Sequence, residues 1–180
     1  DVRMSYRVIT ALDGVSINVA PGSITGLIGP NGSGKSTLFD CITGFQARDG
    51  GAVELDGRDI GRLAPQRIAR MGLRRTFQQL RFFPELTVRE NLLAAAQSAP
   101  GFSYLAEIVR SAAVRSHEAA MRERAAAVLD EVRLAPQAGQ LSAGLSYGQK
   151  KLMELGMALM ADPRLLMLDE PVAGVNPALV

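Results

Sequence analysis

The chain has 180 residues, 47% of them hydrophobic, so it is long enough to bury one substantial core. Its net charge is only +2 and its 17 Arg are scattered, so charge does not imply nucleic-acid binding. No stretch approaches the ~18 to 20 consecutive apolar residues of a membrane span. The single cysteine, Cys41, excludes an internal disulfide and is expected to pack as a small apolar residue in a reducing compartment.

The first part of the chain has the pattern of an α/β unit. Apolar and polar residues alternate over 15–19, which predicts a strand with one buried face. The apolar residues Ile24, Leu27 and Ile28 predict a buried strand leading into a glycine-rich loop, and a helix should follow from about Gly34 to Thr43. Further predicted elements are a strand and turn at 52–57, a short helix at 66–71 and an extended run at 73–77.

The pattern becomes helical after Pro84. Thr87 and Glu90 form a T-x-x-E capping box, and helical spacing of apolar residues continues to about Val132, through 105–112 and 128–132. We predict a helical subdomain over 85–147, inserted between two parts of an α/β core at 1–84 and 148–180. In the second part, the four apolar residues of 165–168 predict a buried parallel strand.

Residues 29–36 match the phosphate-binding pattern G-x-x-x-x-G-K-[ST], and Thr37 follows it. Glycines let backbone N–H groups point at phosphate oxygens where a Cβ would clash. Lys35 would reach the β and γ phosphates, and the Ser36 hydroxyl would ligate Mg²⁺. A plain glycine-rich turn is the alternative. The residues expected to contact nucleotide here are Gly29, Asn31, Gly32, Gly34, Lys35, Ser36 and Thr37.

Two acids follow the strand predicted at 165–168. Ligands of parallel sheets lie at the carboxyl ends of the strands, so Asp169 and Glu170 should emerge beside the phosphate loop. Asp169 would hold Mg²⁺ through water, and Glu170 would orient or deprotonate the water that attacks the γ phosphate. An ordinary strand end with solvated acids is the alternative.

The segment Leu145-Ser146-Tyr147-Gly148-Gln149 precedes another helix with core-spaced leucines. Ser146 and Gln149 have the spacing of a capping box, which by itself needs no ligand. A capped helix N-terminus with Gly148 bare of side chain can also receive a phosphate, and the two interpretations are compatible.

These motifs, in this order, resemble the nucleotide-binding subunits of ABC transporters. Residues 72–91 are most similar to the ATP-binding proteins of bacterial branched-chain amino acid importers. The resemblance implies an α/β phosphate-loop NTPase (RecA-like) core of the ABC ATPase type with an inserted helical subdomain. It also implies truncation at both ends, without the C-terminal histidine region, so we expect nucleotide binding but weak hydrolysis. His117 is expected to be a solvated surface residue and not that histidine.

The resemblance also assigns roles, with ATP and Mg²⁺ as cofactors. Tyr6 would stack on adenine, although packing at a sheet edge would explain it too. Gln78 would contact Mg²⁺ and the attacking water, and Asn176 would lie in a turn touching the partner subunit. The signature residues Ser146, Gly148 and Gln149 would close over the γ phosphate bound by that subunit. Lys35, Gln78 and Glu170 would be the catalytic residues.

Partners follow from the same resemblance. A second ATP-binding subunit would pair head to tail, and a groove lined by 78–91 would accept a helix of a membrane permease. Phe82, Phe83 and Leu86 are the apolar candidates for that contact, with core packing as the alternative. A solute-binding protein would take part indirectly, at the cytoplasmic face of a bacterial inner membrane, with no nucleic acid involved. The alternative function is a soluble ATP switch that clamps a ribosome or DNA; the signature segment disfavours an unrelated kinase or GTPase.

Overall fold

The computed structural model describes residues 1–76, 81–96 and 112–169. The chain forms two compact units, 1–71 and 72–180. The expected roles of Gln78, Glu170 and Asn176, and the helical spacing predicted over 105–109, lie outside the described residues. The three-part division at 84 and 147 stays a prediction.

The first unit is built on two hairpins and two helices. Strands β1 (Val2–Tyr6) and β2 (Ile9–Val15) pair antiparallel, as do the short strands β3 (Glu54–Leu55) and β4 (Arg58–Asp59). Helix α1 (Lys35–Thr43) buries Leu38 and Cys41, and helix α2 (Pro65–Arg70) buries Ile68. The predictions of a helix from about Gly34 and of buried Cys41 are confirmed; burial raises the pKa of the Cys41 thiol.

Two strand predictions in this unit are wrong. Strand β2 ends at Val15, and no strand forms over 16–28. Ile24 and Ile28 are almost fully exposed, and Leu27 is exposed as well. A strand needs a neighbour to accept its backbone hydrogen bonds, and within the described residues each sheet has only two strands, none of which includes this segment. Apolar alternation indicates a segment able to cover a sheet face, but it does not supply the pairing strand.

The second unit combines a parallel strand pair with a helical cluster. Strands β5 (Leu73–Arg75) and β6 (Leu165–Met167) pair in parallel, with Arg75 opposite Met167, which confirms the predicted parallel strand. The helices are α3 (Val88–Ala96), α4 (Ala112–Glu131) and α5 (Tyr147–Leu159). Their contact surfaces contain Val88, Leu92, Val128, Leu129, Val132 and Met153, all buried.

Both predicted capping boxes are present. Thr87 accepts from the Glu90 N–H at 3.2 Å, and the Glu90 carboxylate accepts from the Thr87 N–H at 2.8 Å. Ser146 and Gln149 make the equivalent pair at the start of α5. Within the residues described, none of the helices combines the length and hydropathy that crossing a membrane requires.

Candidate functional site

The phosphate loop has the backbone that its glycines allow. Gly32 and Gly34 have positive φ angles of 82° and 90°, in the left-handed region. A Cβ on Gly34 would lie 2.5 Å from the carbonyl oxygen of Ala11, so a larger residue could not occupy this position without displacing the backbone. The end of the loop is therefore packed directly on β2. The left-handed conformation of Gly34 turns the chain into α1.

Lys35 closes the loop on itself. Its ammonium donates to the carbonyl oxygens of Gly29 and Pro30, both at 2.7 Å. The Ser33 hydroxyl lies 3.4 Å away. The loop is thus curled around one positive charge at the N-terminus of α1, where the helix dipole is also positive. Both features favour a bound anion.

The other predicted nucleotide contacts of the first unit are accessible. Ser36, in the first turn of α1, and Asn31 are exposed, and Thr37 is partly buried. Tyr6 ends β1, with 45% of its surface exposed, so its ring is not enclosed in a core. These residues offer hydroxyl, amide and aromatic groups to a ligand.

Asp169 lies two residues beyond the end of β6. Its Oδ2 accepts from the Arg75 guanidinium at 3.1 Å, and its N–H donates to Oγ1 of Thr76 at 3.2 Å. The side chains are largely buried, 17% exposed for Asp169 and 9% for Arg75. The predicted metal-binding acid is therefore paired with a cation from the neighbouring strand.

The signature segment, residues 145–149, leads into the first turn of α5. The Ser146 hydroxyl accepts from the Gln149 N–H at 3.3 Å, and the Gln149 side chain accepts from the Ser146 N–H at 2.9 Å. Ser146 is exposed and Gly148 is buried. Gln149 is thus committed to the cap, while the exposed serine marks the N-terminal end of α5.

The predicted permease contacts differ in exposure. Phe82 is partly buried and packs against the helical core, with the Lys150 ammonium 5.7 Å from its ring centroid. Phe83 is 56% exposed and Leu86 is partly buried. Phe82 therefore packs against the helical core, whereas the apolar side chain of Phe83 is exposed to solvent. His117 is exposed, as predicted.

The sequence predicted the site motifs whose residues lie close along the chain, but it did not predict the partners of Asp169. The phosphate loop belongs to the first unit, whereas Asp169 and the signature segment belong to the second. Arg75 and Thr76 were not predicted as site residues, although both lie in the run at 73–77 that was predicted to be extended. The structure pairs β5, in this run, with the strand that leads to Asp169. The register of β5 against β6 identifies these two residues as partners of Asp169, and that register is known only once the strands are paired.

Comparison with known proteins agrees with these motifs. The ABC transporter family model matches residues 12–173. The chain is 42% identical over 174 residues to the high-affinity branched-chain amino acid transport ATP-binding protein BraF of Pseudomonas aeruginosa, covering 97% of this chain and 68% of that protein. It is 43% identical over 169 residues to the probable branched-chain amino acid transport ATP-binding protein LivG of Methanocaldococcus jannaschii, covering 94% and 65%.

Solved structures give the same result. An ATP-binding cassette of an ABC transporter in its ADP conformation superposes with a TM-score of 0.79 at 39% identity, covering 99% of this chain and 69% of that one. A dimeric post-hydrolysis state of an ATP-binding cassette bound to ADP and Pi gives 0.76 at 25% identity, covering 99% and 75%. The chain therefore belongs to the ABC transporter family and has the α/β phosphate-loop fold of its ATPase cassettes.

Proposed function

We propose that this chain is the ATP-binding and ATP-hydrolysing subunit of a transporter that imports branched-chain amino acids. The observation that carries the proposal is the phosphate loop curled around Lys35 at the start of α1, in a chain similar to BraF and LivG. The solute is inferred from the names of those relatives. The energy-coupling role depends on the nucleotide site.

Lys35 exchanges partners when nucleotide binds. Its ammonium leaves the carbonyl oxygens of Gly29 and Pro30 and pairs with the β and γ phosphates, while backbone N–H groups of the loop donate to the remaining oxygens. Thr37 adds a hydroxyl contact, and the Tyr6 ring stacks on the adenine. A phosphate therefore replaces neutral acceptors with charged ones, which are stronger partners for an ammonium.

Ser36, Asp169 and Gln78 are the residues that would hold Mg²⁺. The fit rests on donor chemistry: the Ser36 hydroxyl is exposed, and among the described residues Oδ1 of Asp169 accepts no hydrogen bond. When bound, Mg²⁺ neutralises charge on the β and γ phosphates. Glu170 orients or deprotonates the attacking water, and Gln78 contacts the same water.

Two copies of the cassette complete each site. Ser146 and Gly148 at the N-terminus of α5 donate to the γ phosphate held by the opposite subunit, and Asn176 contacts that subunit. The γ phosphate then stabilises the closed dimer, and its hydrolysis lets the dimer open.

Docking on a membrane permease is the second partner contact. The exposed Phe83 contributes to this docking. Docking would hold the cassette at the cytoplasmic face of the inner membrane. A solute-binding protein delivers the amino acid from outside.

Transport by the whole complex tests the proposal. The full-length protein should co-purify from solubilised membranes with two multi-spanning permease subunits, and proteoliposomes of this complex should take up leucine when ATP is supplied. Lys35→Ala should abolish uptake and ATP binding, whereas Ser23→Ala, an exposed change outside the loop, should leave both intact. Recovery with ribosomes or DNA and without a permease would contradict the importer and favour the soluble clamp, which the relatives do not support.

A further inference from the structure

Arg75 and Asp169 meet because β5 and β6 are parallel and in register. Arg75 is the last residue of β5 and lies opposite Met167, so its side chain reaches the residue that follows β6 by two positions. The guanidinium lies 3.1 Å from Oδ2 of Asp169. The acid expected to hold a divalent cation thus has a permanent cation beside it.

The pair is held from the backbone as well as from the side chains. The Asp169 N–H donates to Oγ1 of Thr76, whose own N–H donates to the carbonyl of Met167 at 3.0 Å. Thr76 is 7% exposed. Because Asp169 and Arg75 are also largely buried, solvent screens their interaction much less than it screens a surface ion pair.

The charge on Arg75 acts on any cation that reaches Asp169. The guanidinium is a fixed positive charge beside the carboxylate. A cation bound to the Asp169 carboxylate is a near neighbour of the guanidinium on the same group, and the two repel in a weakly screened site. A nucleotide triphosphate brings negative charge that offsets this repulsion.

We propose that Arg75 prevents free divalent cations from occupying Asp169, so that cation binding at this acid depends on nucleotide. The inference rests on the proposed ATPase function and adds a positioning residue to it. A cassette built in this way takes up metal together with its substrate and not before it.

A purely structural role for Arg75 predicts the opposite sign. If the guanidinium served only to orient the carboxylate, its removal would loosen Asp169 and weaken cation binding. If its charge excludes cations, removal strengthens binding. The direction of change in a neutral variant therefore separates the two roles.

The experiment measures Mn²⁺ binding to the nucleotide-free full chain by electron paramagnetic resonance. We expect Arg75→Met to bind Mn²⁺ at least about tenfold more tightly than wild type, a change of about 1.4 kcal/mol. Arg75→Lys keeps the charge and should bind within about twofold of wild type. Arg75→Met combined with Asp169→Asn should lose the gain. With ATP present, wild type and Arg75→Met should bind Mn²⁺ more nearly alike.

Three results with these variants would each overturn the proposal: no gain in Arg75→Met, an equal gain in Arg75→Lys, or a gain that survives Asp169→Asn. Arg75→Gln is the second neutral variant if Arg75→Met does not fold, as judged by thermal unfolding. Wild type offers a test without any change at Arg75, since Mn²⁺ should not raise its unfolding temperature in the absence of nucleotide. A rise that Asp169→Asn removes would refute the proposal. ATP affinity of wild type tests the proposed function separately, because the Mn²⁺ measurements that decide this proposal are made without nucleotide.

Discussion

The Nδ2 amide of Asn91 donates to Oγ of Ser142 at 3.2 Å, and both side chains are fully buried. Asn91 also accepts from the Phe83 N–H at 2.8 Å and donates to the Phe83 carbonyl at 2.9 Å. The Ser142 hydroxyl donates to that same carbonyl at 2.8 Å. Two buried polar residues, 51 positions apart, therefore hold the backbone of Phe83, whose ring is exposed.

Asn91→Ala should destabilise the protein by about 2–3 kcal/mol, because the partly buried Phe83 N–H and the buried Ser142 hydroxyl lose a partner and a small cavity forms. Urea unfolding of the purified chain measures the loss. Arg89→Ala is the control, since that side chain is exposed on the same helix. Equal stability of the two variants would show that the buried amide contributes nothing beyond helix formation.

Gly34→Ala should be more damaging than the same substitution at Gly22, another glycine with a left-handed φ angle. Gly34 and Gly22 both have positive φ, but only Gly34 would bring a Cβ to 2.5 Å from the Ala11 carbonyl. Gly22→Ala should destabilise by about 1–2 kcal/mol through backbone strain alone. Gly34→Ala should add a clash and weaken ATP binding more than about tenfold. Calorimetric ATP titration and urea unfolding measure the two effects; ATP affinity unchanged in Gly34→Ala would contradict the expected disruption.

Gly156→Ala should stabilise the protein by about 0.5–1 kcal/mol. Gly156 lies inside α5, and a Cβ there would meet Val128, Val132 and Leu92 at 3.4 to 3.6 Å, which is ordinary van der Waals contact. Alanine therefore gains helix propensity without a clash. Gly156→Leu should instead destabilise by about 1–3 kcal/mol by overpacking the same surface. Thermal unfolding of both variants checks the sign; stabilisation by leucine would show that the helices can move apart freely.

Glu90 should make stability fall on the acid side. Hydrogen bonds from the Thr87 N–H and hydroxyl, both at 2.8 Å, lower the pKa of Glu90 below its ordinary value. Because the folded pKa is lower than the unfolded one, the stabilisation is present above the unfolded pKa and is lost as the pH falls through the folded pKa. Glu90→Gln should therefore be less stable than wild type at pH 7, and its acid-side dependence on pH should be shallower.

Urea unfolding at a series of pH values measures this dependence. Glu85→Gln is the matched control, an exposed glutamate two residues before the cap. We expect it to follow the wild-type profile. If the pH profile of Glu90→Gln is identical to that of wild type, the charge of the Glu90 carboxylate does not contribute to the stability of the capping box.

Features encoded within a few residues were predictable from the sequence. The phosphate loop needs glycines and Lys35 at fixed places in eight consecutive residues. Each capping box joins residues three apart, so its partners meet whenever a helix starts there. Helical spacing likewise predicted the buried face of α4 at Val128, Leu129 and Val132. The order of such local motifs was enough to indicate the family.

Tertiary structure decided every relationship that depends on pairing between distant segments. Arg75 meets Asp169 across 94 positions because β5 and β6 are in register, and Gly34 has no room for a side chain because β2 passes beside it. The strand expected at 24–28 does not form, because an apolar pattern cannot provide the neighbour that its backbone requires. Local spacing determines which groups a segment presents; register and packing determine which groups they meet, and those depend on the whole chain at once.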